Sequence, residues 1–285
     1  MKLSRGFIFS FLAALVWAVG ILSTRIILSN GENPYNLTFW GMIISLPYWL
    51  LILSQHRKEA AKLTAQTIIM FLIMGLVSKV AIPLTENLAL NYSSAVNFSF
   101  LIRSVILFTI LFAALFLREH ITKKKIILAT LILSGAYLLT TKGGGIVLAR
   151  GDMYILLEAA LIAFGNNILG KKLAGRMHAD LASAGQFLTG VIPLALITTT
   201  SARISFPHMF PLVVLGTVTT ILFYQFLFRA YQNASATYVT MILSFNPVLV
   251  ALISIPFLGE SLTPIQLVGG GLIVLAGILV EKLKI

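Results

Sequence analysis

Long apolar stretches alternate with short polar segments along the whole chain. Most stretches have about 20 residues, the length with which a helix crosses the hydrocarbon core of a bilayer. Turn-forming residues separate them, as in Asn91-Tyr92-Ser93-Ser94 and Gly143-Gly144-Gly145. The pattern predicts an all-α membrane protein with ten transmembrane helices. These are expected at about 7–28, 35–53, 67–90, 95–117, 125–141, 152–173, 179–197, 209–231, 236–257 and 264–283.

The composition agrees with a chain that lies almost wholly in lipid. Hydrophobic residues make up 58% of the 285 residues and charged residues 11%, whereas about a quarter of an ordinary soluble domain is charged. Ten helices use about 200 residues at this length, so no room remains for a soluble catalytic domain. The absence of cysteine excludes disulfides, thiol nucleophiles and thiolate metal sites.

The distribution of positive charge predicts the orientation in the membrane. If the N-terminus faces the cytoplasm, fifteen of the 21 lysines and arginines lie on that side and three lie in the outer loops. An excess of basic residues marks cytoplasmic loops. We therefore expect a multi-pass protein of the inner or plasma membrane with both termini cytoplasmic. The net charge of +12 then reflects basic membrane anchors, and no nucleic-acid partner is expected.

The sequence repeats itself. The segment 116–122 (FLREHIT) matches 257–263 (FLGESLT) at an offset of 141 positions, and Gly6 and Gly20 match Gly151 and Gly165 at an offset of 145. The expected domains are a first repeat at 1–142, a glycine-containing connection at 143–150 and a second repeat at 151–285. Because each repeat has five helices, the second enters the membrane inverted, which is a common plan of secondary transporters.

These features resemble the drug/metabolite transporter superfamily of EamA type across essentially the whole chain. The resemblance rests on the two repeats, the Trp17-Ala18 region, the repeated FLxExI/LT segment and the small residues of the last helix, such as Gly269 and Gly277. The family usually has a proline within helices four and nine. Pro247 matches this pattern, whereas Ile106 stands at the equivalent position of the first half. The resemblance implies ten helices around a central cavity and transport of small metabolites.

Charged residues within predicted helices are the leading site candidates, because charge in the bilayer centre costs about 2.5–3.5 kcal/mol on insertion scales. Lys79 and Glu86 are seven residues apart and are expected to share one helix face, with Pro83 bending the helix between them. With Arg103 and Glu158 they are predicted to form a polar vestibule, although structural salt bridges such as Glu86–Arg103 are the alternative. The remaining substrate-binding candidates, mostly polar or aromatic, are Trp17, Asn166, Tyr224, Tyr238, Ser244 and Asn246.

Other kinds of site lack support. All four histidines, His56, His120, His178 and His208, fall in loops or at loop edges, so no metal ligand was expected from them. The chain has no Walker P-loop and no HExxH motif. No catalytic residue, enzyme activity or cofactor is therefore expected.

The sequence thus favours a secondary active transporter that exports small amino-acid-like metabolites by alternating access. Its expected partners are a small-molecule substrate, the lipid bilayer and protons as a candidate coupling ion, in a monomer or homodimer. One alternative is a carrier of anionic phosphorylated or carboxylated metabolites. Others are a non-transporting scaffold and a channel.

Overall fold

The computed structural model describes residues 3–29, 34–198, 210–258 and 261–284, and within these ranges the regular structure is entirely helical. The helices form ten rods, which we label α1 to α10. Six rods are single helices: α1 Arg5–Ser29, α2 Pro34–Gln55, α5 Lys123–Thr141, α7 Ala179–Thr198, α8 Phe210–Asn233 and α10 Pro264–Leu283. A short helix, Arg57–Ala60, follows α2.

Four rods are interrupted. The rod α3 comprises Ala65–Leu76, a π-helical turn Val77–Ala81 and Ile82–Tyr92, and α4 comprises Ala95–Leu101, a 3-10 turn Ile102–Ser104 and Val105–Leu117. The rod α6 comprises Asp152–Leu161, a π-helical segment Ile162–Leu169 and Gly170–Ala174, and α9 comprises Ala236–Leu243 and Asn246–Leu258.

The described rods confirm the helical membrane class predicted from the sequence. Eight helical segments are long and apolar enough to cross a bilayer, and α2 contributes a shorter apolar segment, Trp40–Gln55. Large apolar side chains such as Leu72, Ile127 and Leu267 are exposed on the rods. An apolar surface of this extent is typical of contact with lipid.

Glycines that match between the repeats lie where each repeat contacts the other. A Cβ atom on Gly6 would lie 2.8 Å from Ala234 Cβ, and one on Gly151 would lie 2.5 Å from the backbone nitrogen of Ser93. Glycine permits this close approach of helix backbones. The first rod of each repeat therefore starts against the segment that follows the third rod of the other repeat.

A second matched pair of glycines continues the same contact further along the rods. A Cβ atom on Gly20 would lie 2.9 Å from Thr219 Oγ1, and one on Gly165 would lie 2.6 Å from a methyl group of Val77. Thus α1 packs on α8 as α6 packs on α3. The repeat found in the sequence corresponds to an exchange of first helices between the halves.

The repeat also fixes where helices begin. Ser94 and Ser235, 141 positions apart, cap α4 and α9 by accepting hydrogen bonds from the backbone N–H groups of Asn97 and Tyr238. Thr122 and Thr263, the last residues of the repeated FLxExI/LT segment, cap α5 and α10 in the same way. A side-chain oxygen at the N-cap satisfies one of the N–H groups that a helix start leaves unpaired.

Both α4 and α9 break at equivalent positions, although only α9 has the proline. The 3-10 turn Ile102–Ser104 of α4 corresponds, at the offset of 141, to the break between Leu243 and Asn246 in α9. Pro247 contributes to the break in α9, since it has no N–H to donate to the preceding turn. The first half keeps the irregular turn with Ile106 in place of proline, so the proline alone does not cause it.

The bend expected near Pro83 takes the form of the π-helical turn Val77–Ala81 directly before it. Pro83 cannot donate to the carbonyl of Lys79, four residues earlier. The wider π turn adds a residue to the α-helical repeat, which rotates everything beyond it around the rod axis. Lys79 is buried whereas Glu86 is exposed, and their position on one helix face stays a prediction.

The start of α1 and the end of α10 lie at one face of the bundle, which we call the terminal face. The backbone N–H of Ser4 donates to Glu281 Oε1 at 2.7 Å, and the Ser4 hydroxyl donates to Glu281 Oε2 at 2.9 Å. These bonds join the start of α1 to the end of α10. The other end of the bundle is called the opposite face below.

Candidate functional site

Lys79 lies near the middle of α3, about 20 Å of helix from either end of the rod at 1.5 Å per residue. Its side chain is 8% exposed. No salt bridge joins Lys79, Glu86, Arg103 or Glu158 to another side chain in the part of the chain that the structure describes. The salt-bridge alternative for Glu86 and Arg103 is therefore wrong in this structure.

Aromatic rings surround the Lys79 ammonium. Its Nζ lies 4.1 Å from the centroid of Phe187 and 5.1 Å from that of Tyr224. Trp49 stacks on the far side of Phe187 with 4.6 Å between centroids. A desolvated cation–π contact contributes about 2 kcal/mol, which offsets much of the roughly 2.5–3.5 kcal/mol for a charge at the bilayer centre.

A glycine on α7 makes room for this lysine. A Cβ atom on Gly190 would lie 2.3 Å from Lys79 Cγ. The lysine stem therefore lies directly on the backbone of α7, and its ammonium reaches Phe187 one turn away on the same rod. Any side chain at position 190 would displace Lys79.

Two amides lie on rods that contact the Lys79 turn. Gln186 Nε2 donates to Asn166 Oδ1 at 3.2 Å, and Gln186 Oε1 is buried without a hydrogen-bond partner among the described residues. The π segment of α6 that carries Asn166 packs on the π turn of Lys79, as does α7. We call Lys79, Phe187, Tyr224, Gln186 and Asn166 the lysine cluster.

Asn167, next to Asn166, has a different role. Its Nδ2 donates to Thr109 Oγ1 at 2.7 Å and to Thr240 Oγ1 at 3.1 Å, and its Oδ1 accepts from the Tyr231 hydroxyl at 2.8 Å. This amide ties α4, α6, α8 and α9 together. These four rods are therefore joined by one buried side chain.

Glu86, Arg103 and Glu158 lie on three helical segments, of which the one that carries Glu158 packs against the other two. We call these three residues the charged cluster. Glu158 is 3% exposed, and its Oε2 has no hydrogen-bond partner among the described residues. The Nε of Arg103 is likewise buried without one. Glu86 lies in the Ile82–Tyr92 part of α3, which packs on the Asp152–Leu161 part of α6 that carries Glu158. Buried polar atoms without partners are rare in folded proteins and call for an explanation.

The two clusters are neighbours through one helical segment. The Asp152–Leu161 part of α6, which carries Glu158, packs against the 3-10 turn of Arg103 and also against the π turn of Lys79. Irregular backbone at membrane depth is tolerated where it is buried in protein or lines a cavity. Lys79, Arg103 and Asn166 all lie on such irregular turns.

Trp17 lies on α1 with 36% of its side chain exposed. Its ring centroid is 5.2 Å from that of Phe223, and Phe223 contacts Tyr224 at 5.0 Å. Trp17 therefore connects to the lysine cluster through Phe223. Its exposed ring leaves an aromatic face available for stacking.

Tyr238 does not lie with the other candidates. Its hydroxyl donates to Glu281 Oε2 in a short hydrogen bond at the terminal face, where Ser4 also contacts that carboxylate. This hydrogen bond gives Tyr238 a structural role, and its contact with substrate stays a prediction. Because Ser235 caps α9, Tyr238 lies in the first turn of that rod, and its side chain joins α9 to the ends of α1 and α10.

We expect the Tyr238→Phe substitution to lower stability without changing substrate affinity. Loss of the hydroxyl leaves the buried Glu281 carboxylate short of a donor, which costs about 1–3 kcal/mol. Thermal unfolding in detergent and the apparent KM in vesicles measure the two effects. Tyr137→Phe is the matched control, since its hydroxyl donates to the Gly144 carbonyl at an exposed position. A raised KM with unchanged stability would contradict the assignment.

Ser244 and Asn246 also serve helix packing. The Ser244 hydroxyl donates to the Thr240 carbonyl at 3.1 Å, and Asn246 Nδ2 donates to the Ala14 carbonyl at 3.2 Å. Both side chains are buried at the break in α9. Both side chains therefore bond to backbone carbonyls of α9 and α1, whereas Asn246 Oδ1 is buried without a hydrogen-bond partner among the described residues. Their contact with substrate stays a prediction.

Comparison with known proteins agrees with this arrangement. The EamA-like transporter family matches residues 4–141 and again residues 149–281. The chain belongs to the EamA-like transporter family. It is a membrane transporter, and the expected drug/metabolite transporter resemblance is confirmed.

Two individual relatives of this EamA-like transporter cover nearly its whole length. An uncharacterised transporter of Archaeoglobus fulgidus is 23% identical over 282 residues, which span 96% of each chain. A protein of known crystal structure matches with a TM-score of 0.80 at 17% identity, over 99% of this chain and 98% of the other. At that identity the second match shows a shared fold alone.

Two residues of the EamA-like transporter's lysine cluster, Phe187 and Gln186, are absent from the candidates predicted from the sequence. Phe187 is one of many phenylalanines, and nothing in the sequence distinguishes it. Gln186 was open to detection, because it is an uncharged polar residue within a predicted span between Gly185 and Gly190. The approach of α7 to α3 brings both to Lys79.

Proposed function

We propose that this EamA-like transporter is a secondary carrier that exports small amino-acid-like metabolites by alternating access through the lysine and charged clusters. The observation that carries the proposal is Lys79, a cation at mid-membrane whose contacts are aromatic rings and which has no acidic partner among the described residues. A substrate carboxylate would supply the missing counter-charge.

The charged cluster supplies the negative charge that a zwitterionic substrate also requires. Glu158 has an unpaired buried oxygen and Glu86 lies on a segment that packs against its own, so these carboxylates suit the ammonium group of a zwitterion or a coupling proton. The clusters adjoin through α6. An amino acid bound between them would place its carboxylate toward Lys79 and its ammonium toward Glu158.

The swapped packing of α1 and α6 supports alternating access. Each of these rods lies against the third rod of the other repeat, through matched glycines. Rocking of one half against the other would open the site first to one face and then to the other. The same proposal includes export as the direction of transport. It places the protein in an inner or plasma membrane with both termini in the cytoplasm. It also includes the repeat boundaries at 142 and 151.

A carrier of anionic metabolites is the second candidate. Lys79 and Arg103 are two cationic side chains without an acidic partner among the described residues, which suits a phosphate or dicarboxylate as well. The buried Glu158 and, on the segment packed against it, Glu86 oppose it, because a doubly charged anion would meet two carboxylates.

Thermal stabilisation of the purified protein distinguishes the two substrate classes. A ligand that binds only the folded protein raises its stability, by about 2.7 kcal/mol at 100 times Kd. We expect zwitterionic amino acids to raise the melting temperature of the wild type and of Arg150→Ala, which alters an exposed arginine outside both clusters. Stabilisation by phosphorylated or dicarboxylic metabolites alone would favour the second candidate.

The charged cluster makes a prediction of its own. Glu86→Gln or Arg103→Ala should reduce transport about tenfold or more without preventing folding, since a hydrogen bond to a charged group contributes about 1.5–3 kcal/mol. Uptake into vesicles and monodisperse elution in detergent provide the two readouts, with Arg150→Ala as control. Normal transport by both folded variants would show that this cluster does not serve the substrate.

A further inference from the structure

Two histidines from different halves of the chain meet at the terminal face. His56 follows α2, whereas His178 and Asp180 lie at the start of α7, 122 positions later. The imidazole rings stack with 4.6 Å between their centroids. One ligand atom from each of His56, His178 and Asp180 lies within 4.8 Å of those of the other two. We call these three residues the histidine cluster.

Neighbouring side chains hold the cluster in place. Asp180 Oδ1 accepts hydrogen bonds from Arg229 Nη2 at 2.8 Å and from Gln225 Nε2 at 3.4 Å. Its other oxygen, Oδ2, lies 3.6 Å from His178 Nδ1. Arg229 and Gln225 thus fix the carboxylate by one oxygen while the second faces the histidines, an arrangement that is typical of a supported metal ligand.

Glu59 supports the two histidines from the first half of the chain. Its Oε2 lies 3.5 Å from His56 Nδ1, and its Oε1 accepts the backbone N–H of His178 at 2.9 Å. One carboxylate therefore orients an imidazole of the first half and anchors the loop that carries His178. Metal-bound histidines commonly have such a carboxylate as an outer partner.

We propose that His56, His178 and Asp180 bind a divalent transition-metal ion of the zinc class at the terminal face. Two imidazole nitrogens and one carboxylate oxygen are the ligand types of zinc sites that keep a fourth position for water. Zinc bonds of about 2.0–2.2 Å require the ligand atoms to close in. His56 is only half-buried and His178 is exposed, so both rings have room to turn.

The bound ion would join the two halves of the transporter. His56 belongs to the connection between α2 and α3, His178 belongs to that between α6 and α7, and Asp180 lies in the first turn of α7. A metal bridge between these connections holds the terminal face closed. Occupation of the site therefore slows any cycle in which the halves rock apart there, a consequence that rests on the proposed function, whereas metal binding itself does not.

Cobalt titration of the full-length purified protein tests the site directly. Co²⁺ serves as the visible probe for a zinc-type site, and the protein carries an affinity tag without histidine. We expect saturable d–d absorption at one equivalent, which Zn²⁺ removes by competition. His56→Gln and His178→Gln should each weaken binding at least tenfold. His120→Gln, an exposed histidine of the α4–α5 connection, should bind as the wild type does.

Two results of the same titration would overturn the proposal. Absence of saturable Co²⁺ binding to the wild type, or equal binding by both histidine variants, would show that the cluster is not a metal site. His178→Cys keeps a zinc ligand and should still bind Zn²⁺ if glutamine variants fail to fold; loss of binding in a folded His178→Cys protein would contradict the proposal.

A separate arm measures zinc inhibition of transport in vesicles. We expect inhibition of the wild type and its relief in His56→Gln. If zinc binds but does not inhibit transport, the proposed metal bridge between the halves is wrong, whereas the proposed metal site remains. Failure to transport any amino acid would count against the proposed function alone, because the cobalt titration requires no transport.

Discussion

The Lys79→Met substitution is expected to abolish saturable amino-acid transport while the protein remains folded. Methionine fills similar space against Gly190 and Phe187 but cannot pair with a carboxylate. Loss of a charge-assisted hydrogen bond costs about 1.5–3 kcal/mol, which corresponds to roughly 10–100-fold weaker binding. Removal of a buried charge that the cation–π contacts offset only in part should also raise the melting temperature. Vesicle uptake and thermal unfolding measure the two effects.

Lys172→Met is the matched control for this experiment. The Nζ of Lys172 lies 5.6 Å from the centroid of Phe116, so this lysine also contacts an aromatic ring, but near the end of α6. It should transport as the wild type does. Lys79→Arg keeps the charge in a larger group and should retain part of the activity. Wild-type transport by a folded Lys79→Met protein would remove the lysine cluster from the mechanism.

Gly151→Ala is expected to cause the largest loss of stability from a small substitution. A Cβ atom there would lie 2.4 Å from the carbonyl carbon of Tyr92 and 2.5 Å from the nitrogen of Ser93. These are backbone atoms, and the N–H of Gly151 also donates to the Tyr92 carbonyl at 3.0 Å. The start of α6 must therefore move away from α3. Overpacking of this kind costs about 1–3 kcal/mol or more.

Gly271→Ala provides the comparison, because a Cβ atom at Gly271 would have no heavy atom within 4 Å. Alanine also favours a helix over glycine by about 0.8–1.0 kcal/mol. We expect Gly271→Ala to keep or raise the melting temperature, whereas Gly151→Ala lowers it by several degrees. Equal melting temperatures for the two variants would contradict the exchanged packing of the first helices.

Most of the fold could be predicted from the sequence, because the length of the apolar segments and the repeat can both be read directly from the order of the residues. Gly6, Gly20, Gly151 and Gly165 were found as matched letters, and the structure gives their reason as close contacts between opposite halves. The π turn before Pro83 was not accessible. A proline predicts that one backbone hydrogen bond is lost. Whether the helix then bends or forms a π turn depends on the helices packed around it.

The site was only partly accessible for a similar reason. Lys79, Arg103 and Glu158 could be predicted as candidates from their depth within the helices, because a charged side chain in a membrane span is costly. Tyr238 was selected on its residue type, and only the position of Glu281 on another rod shows its structural role. The histidine cluster depends on the meeting of His56 and His178, which are 122 positions apart, and no pattern in residue order indicates this contact.

Counterflow in proteoliposomes tests the central claim most directly. Vesicles loaded with an unlabelled amino-acid mixture and diluted into labelled mixture should accumulate label transiently and saturably if the protein alternates access. The wild type is expected to do so and to respond to an imposed proton gradient if protons couple transport, whereas Lys79→Met should match empty vesicles. Absence of counterflow for every amino acid by folded wild-type protein, or equal counterflow by Lys79→Met, would contradict the account.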